Sequence, residues 1–198
     1  MSVIETRANR VQLNKPSHVV VTLYTGAETS DVPNGDTYIL EDVIKDTSKG
    51  SQADNNTTSI ECETSDENLL DIVTLGKYEV GAEIGDTQKA LLVALCGFVT
   101  ATDKATSKEI CVAPSGYEKK YAKVDIVFPA ANDKKVACVY PKVQLNSKVM
   151  LESLNSNLGR INLAGTAQNA KMTVTIGDST EKNISTPFYT IADYVLPE

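Results

Sequence analysis

Residue types that carry chemistry are thinly supplied in this chain of 198 residues. His18 is the single histidine, which leaves no two-histidine metal site. It opens a β-branched run, where a histidine at a strand end is an ordinary structural residue. Cys62, Cys96, Cys111 and Cys138 lie far apart with no C-x-x-C. That spacing suits neither a zinc knuckle nor a dense disulfide framework, and it predicts buried free thiols. No nucleophile elbow, phosphate-binding glycine loop, dinucleotide fingerprint or paired-histidine zinc motif occurs. Carboxylates are the exception: Glu61, Glu63, Asp66, Glu67 and Asp71 lie close together in sequence. In type they suit a paired-carboxylate glycosidase or a calcium site, but their spacing fits no EF-hand loop. Glu61 and Glu63 also fall on the wet side of a strand pattern, so the cluster reads as a solvated acidic face. No catalytic residue, metal or cofactor is expected.

The charge is uneven. Residues 1–100 hold 16 acids against 7 bases, net −9, and residues 101–198 hold 10 against 12, net +2. The stretch from Glu41 to Asp86 has twelve acids and three bases. Binding a phosphate backbone needs a concentrated basic stripe, so the balance argues against nucleic-acid affinity. No run reaches the roughly 18 apolar residues of a membrane helix, the longest being Ala90–Val99 with Gly97 inside it. Residues 1–16 carry Glu5, Arg7, Arg10 and Lys15 without an apolar stretch, and so do not read as a secretory signal.

Period-two alternation dominates and predicts a mainly β fold, an antiparallel β-sandwich or small barrel. Ser17–Tyr24 and Thr37–Leu40 read as a hairpin around Asn34-Gly35. Residues 45–58 contain one apolar residue, Ala53, and read as a long mobile surface loop. Half-buried strands follow at 58–63 and 77–80. In the second half, Val124, Ile126 and Phe128 alternate with Lys123 and Asp125, and Val143 and Leu145 alternate with Lys142 and Gln144. Ile161 and Leu163, then Met172, Val174 and Ile176, repeat the pattern, so each strand should have one wet and one dry face. One buried helix is predicted over 87–96, with Asp86-Thr87 as N-cap and Gly97 at its C-terminal turn; a short helix over 147–155 is a weaker expectation. The domain should comprise residues 17–186, with an N-terminal arm at 1–16 and a C-terminal arm at 187–198. That last arm contains Phe188, Tyr189, Ile191, Tyr194, Val195 and Leu196, and so belongs either on its own sheet or on another copy.

In layout the chain resembles the major tail (tail tube) proteins of long-tailed bacteriophages, related in fold to the tubes of contractile injection systems. The resemblance rests on a β-rich body of this length and a single buried helix after a long polar loop. It also rests on the stretches Tyr140-Pro141-Lys142-Val143-Gln144-Leu145 and Gly159 to Ala167, and it covers about residues 57–176. It implies stacked, hexameric rings forming a hollow tube that conducts DNA without binding it specifically. The partners would be further copies of the chain and other tail proteins, and the location the virion tail after assembly in the host cytoplasm. Under that reading Glu61, Glu63, Asp66, Glu67, Asp71, Glu79 and Glu83 are candidates for an acidic lumen or ring-stacking surface, and the 187–198 segment is a candidate assembly arm. A virion part of similar fold, such as a tail terminator or capsid decoration protein, is an alternative. So is a β-sandwich module that binds a glycan or protein through the loops at 26–36 or 45–58.

Overall fold

Alternating segments become strands because each can place one row of side chains in a core while its backbone pairs laterally. A computed structural model gives the fold. It describes residues 16–25, 32–61, 68–74, 76–85, 87–113, 115–116, 119–130, 134–150, 159–176 and 180–197. The elements run β1 (His18–Leu23), β2 (Thr37–Leu40), β3 (Lys49–Gln52), β4 (Asn56–Glu61), β5 (Asn68–Thr74), β6 (Tyr78–Ile84) and α1 (Lys89–Cys96). They continue with β7 (Val99–Thr102), β8 (Glu109–Val112), β9 (Lys120–Pro129), β10 (Lys135–Leu145), β11 (Lys148–Met150), β12 (Arg160–Gln168), β13 (Ala170–Ile176), β14 (Thr180–Thr186) and β15 (Tyr189–Ile191).

The fold is mainly β and antiparallel, as the alternation predicts, with one helix among the described residues. Nine strands form one sheet in the order β2-β1-β9-β10-β12-β6-β3, with β11 added on β12 and β15 on β10. The pairs β4–β5, β7–β8 and β13–β14 are separate two-stranded ribbons. The predicted first hairpin is present, with Val19 opposite Leu40 and Thr22 opposite Thr37.

The large sheet curls. Val43 bridges Ile84, the Ile44 N–H donates to the Glu83 carbonyl at 2.8 Å, and the Gly85 N–H donates to the Asp42 carbonyl at 2.9 Å. These bonds tie the chain leaving β2 to β6, near the opposite end of the sheet. Leu40, Val80 and Ile84 therefore share one core with Val21, Val124, Val143 and Leu163.

Helix α1 closes this core with Leu91, Ala94 and Leu95. It begins two residues later than expected: Gln88 is the N-cap and makes no side-chain capping bond. Coverage is also narrower than predicted, since Ala90 is exposed and Leu92, Val93 and Cys96 are half-buried. Eight residues make little more than two turns, and one stripe of them reaches the sheet. Gly97 ends the helix as expected, at φ 74°, with its N–H bonded to the Leu92 carbonyl. Lys120 Nζ donates to the Val93 carbonyl at 2.7 Å and the Ala94 carbonyl at 3.4 Å, placing a cation at the negative end of the helix. Lys120→Met should cost about 1 kcal/mol, read as a lower urea midpoint at unchanged m-value.

Cys96, Cys111 and Cys138 are free and half-buried; Cys62 lies outside the described residues. Burial pushes the Cys96 thiol up to about 11, against a smaller opposing pull from Lys120. Its alkylation by iodoacetamide, followed by mass spectrometry, should stay slow until the pH approaches that value, because the thiolate is the reactive form.

Three expectations are corrected. Residues 45–58 are not one continuous loop: β3 pairs with β6, Gly50 opposite Val80, and β4 begins at Asn56. Residues 49–55 are exposed throughout, and a strand at a sheet's margin can be held by backbone bonds without apolar side chains. The second helix is replaced over 148–150 by β11, with Val149 opposite Ile161; residues 151–158 lie outside the described residues. Third, Asp125 and Lys142 do not face water. They are 1% and 6% exposed, because the second face of the sheet is also covered. There Val20, Val127, Ala137 and Val139 form a smaller core under Tyr189, Ile191, Tyr194 and Leu196.

Candidate functional site

The C-terminal segment is the cover of that second face. Register places Ala137 opposite Ile191 and Val139 opposite Tyr189. The Tyr194 N–H donates to the Lys135 carbonyl at 2.7 Å, and Lys134 Nζ lies 2.9 Å from an Asp193 carboxylate oxygen. Phe188 packs its ring 5.2 Å from Tyr78 and 5.9 Å from Tyr140, while Val195 is exposed. Of the two places the sequence left open for this segment, the single chain shows its own sheet. Sequence reasoning did not find the tie that fixes it. The Tyr194 hydroxyl donates to Asp125 Oδ2 at 2.6 Å, and Lys123 Nζ donates to the same oxygen at 2.8 Å. Burial, then the hydrogen bond and charge of Asp125, push the Tyr194 phenol well above the ordinary tyrosine value. Such a tyrosine stays a donor at any physiological pH.

Lys142 is held on the same face, its ammonium 5.9 Å from the Tyr24 ring centroid and 5.6 Å from that of Tyr121. The Tyr24 hydroxyl donates to the Pro141 carbonyl at 2.6 Å.

The candidate acids divide among three places. Glu79 and Glu83 share the outer face of β6, since Val80, Ala82 and Ile84 point into the core. Strand rise puts these two about 13 Å apart, beyond the roughly 5 to 9.5 Å of a glycosidase pair. Each faces a cation: Lys49 Nζ lies 3.8 Å from Glu79, and Arg160 Nη1 lies 2.8 Å from Glu83. The local field is therefore weaker than the count of acids suggests. Glu61 and Asp71 belong to the β4–β5 ribbon. Glu63, Asp66 and Glu67 lie outside the described residues.

His18 Nδ1 shares a 2.9 Å hydrogen bond with the Ser17 hydroxyl, and Nε2 lies 3.9 Å from Glu41, the strand-end role its position predicts. Among the described residues no group of three His, Cys, Asp or Glu side chains is placed to hold a metal ion. Nor is any helix there long and apolar enough to cross a membrane.

No protein-family model matches the chain, and no curated protein matches its sequence. What the geometry offers is surface for contact. The polar outer face of β6 and β12 and the ribbons that pair only internally are its parts. The β7–β8 ribbon was missed in the sequence, although Val99 and Ala101 alternate with Thr100 and Thr102, a signal of the same kind as the others.

Proposed function

We propose that this chain is a structural virion protein, a tail tube subunit that self-associates into stacked, hexameric rings around a DNA-conducting channel. The observation that carries the reading is the body plan. One helix closes a curled antiparallel sheet, and ribbons that belong to no other sheet offer apolar side chains to solvent. The layout resemblance over residues 57–176 points the same way. A heterologous contact between unlike surfaces of two copies, if it does not close on itself, propagates as stacked rings require. An acidic channel wall would repel phosphates over a Debye length of about 8 Å at physiological salt, letting DNA pass without sticking.

Negative-stain electron microscopy of the purified chain over a range of concentration and salt tests this. Rings or hollow tubes are expected, and a uniform monomer at all concentrations would overturn it. Rings that never stack would instead favour the terminator reading, since a terminator caps once and a tube protein repeats.

A further inference from the structure

The β7–β8 ribbon has one apolar side that is largely uncovered among the described residues. Val99 faces Val112 and Ala101 faces Ile110, and alternation puts these four on one side, opposite Thr100, Cys111, Thr102 and Glu109. A ribbon lying on its own core would bury that side. Here Val99 is 60% exposed, Val112 43% and Ile110 41%, and the ribbon's strands pair only with each other. The Glu109 carboxylate is paired with Lys89, which anchors one strand of the ribbon to α1 of its own chain while the apolar side stays open.

The tip is positive. The Asp103 N–H bonds the Lys108 carbonyl at 2.9 Å, closing the turn. The Asp103 carboxylate accepts from the Thr106 hydroxyl and the Ala105 N–H, bonds that hold it below the ordinary carboxylate range. With Asp103 bonded within the turn and Glu109 of β8 paired to Lys89, Lys104 and Lys108 are left exposed.

A matching recess lies at the seam of the curled sheet. Between β2 and the start of α1 is a groove of about 410 Å³. Leu40 and Leu91 are buried at its base, Ile39 and Ala90 are exposed on its walls, and Glu41 and Asp42 are exposed on its rim. The groove has an apolar floor and a polar, acidic rim, and the ribbon has an apolar side and a basic tip. We propose that the β7–β8 ribbon of one copy docks, apolar side down, in the β2–α1 groove of a second copy, with Lys104 and Lys108 set against Glu41 and Asp42. Each copy carries both halves of the contact, so it is heterologous and repeats as a ring or filament. The inference rests on the self-assembly reading above and names the contact that performs it.

Charge reversal on the full-length chain tests it, with assembly read by sedimentation velocity and fold by circular dichroism. Lys104→Glu with Lys108→Glu, or Glu41→Lys with Asp42→Lys, should each raise the concentration for half-assembly by on the order of tenfold. Mixing the two variants should restore association, because one copy's reversed tip meets the other's reversed rim. Val99→Ser with Ile110→Ser should weaken assembly at least as much without lowering the melting temperature. A wild-type chain that assembles while every variant assembles equally well would overturn the contact and leave the self-assembly reading standing. So would single reversals that block assembly without rescue on mixing. A wild-type chain that never assembles would overturn both.

Discussion

Replacing Lys123 by methionine is expected to destabilise the protein by about 3 kcal/mol, far more than a surface lysine warrants. Asp125 is 1% exposed, so its carboxylate has exchanged water for two donors on Oδ2, the Lys123 ammonium and the Tyr194 hydroxyl. Its Oδ1 is buried and has no hydrogen-bond partner among the described residues. With Lys123 gone, a buried charge keeps one hydrogen bond, and an unbalanced buried charge is costly. Tyr194→Phe should cost less, roughly 1.5 to 3 kcal/mol for one hydrogen bond to a charged acceptor. It should also loosen the C-terminal cover, seen as faster amide exchange at Ala137 to Val139. Asp125→Asn combined with Lys123→Met should recover much of the loss, because the charge is then removed from both sides. Equal destabilisation by the single and combined changes would sink the assignment. The tie also has a pH signature. The Tyr194 phenol is raised above its unfolded value, so the folded chain keeps a proton that the unfolded chain sheds above about pH 10. Its contribution is whole below that pH and is lost as the pH climbs toward the folded value, by at most about 1.4 kcal/mol per pH unit. Tyr194→Phe should flatten that alkaline slope. Tyr38 and Tyr140, also raised by burial, keep the remainder.

The same site marks where sequence reasoning stopped. Alternation places Asp125 between Val124 and Ile126 and so on the wet face, which would be right for a sheet covered on one side only. The cover comes from a segment 69 residues further on, and no local period reports so distant a contact. A local sign did exist. Val19-Val20-Val21 and Ile126-Val127-Phe128 are unbroken apolar runs, the pattern of strands buried on both faces. All six residues are buried. Features decided within a few residues were legible: the β1–β2 hairpin, the glycine at the end of α1, and the outward set of Glu79 in the strand expected over 77–80. The strand at 49–52 was not, since its hydrophilic side chains carry no signal and its order comes from the backbone of β6. The groove between β2 and α1 was equally hidden, because it exists only once the sheet has curled.

Gly165→Ala should cost roughly 2 kcal/mol, although alanine is ordinarily the milder residue in a strand. Gly165 lies in β12 between Leu145 of β10 and Val80 of β6, in the row of Leu163 and Ala167 that faces the main core. A Cβ there would sit 2.4 Å from Val143 Cγ1 and 2.7 Å from the Gln144 carbonyl oxygen. The valine cannot swing clear, being 1% exposed in a packed core and set by the register shift in β10 between Tyr140 and Val143. The carbonyl cannot retreat without disturbing the pairing of Gln144 with Thr166 and Tyr121. The closer clash is with a side chain, so it can be removed by design. Val143→Ala alone should cost about 1 to 3 kcal/mol as a cavity. Combined with Gly165→Ala it should fall short of the sum by more than 0.5 kcal/mol, the coupling expected of residues in contact. Strict additivity in urea melts would mean that the backbone clash dominates. Because Gly165 faces inward, Gly165→Ala should lower the melting temperature while leaving the concentration for half-assembly unchanged below it. Reversing Lys104 and Lys108 should do the opposite, and that contrast separates what holds the subunit together from what joins it to its neighbour.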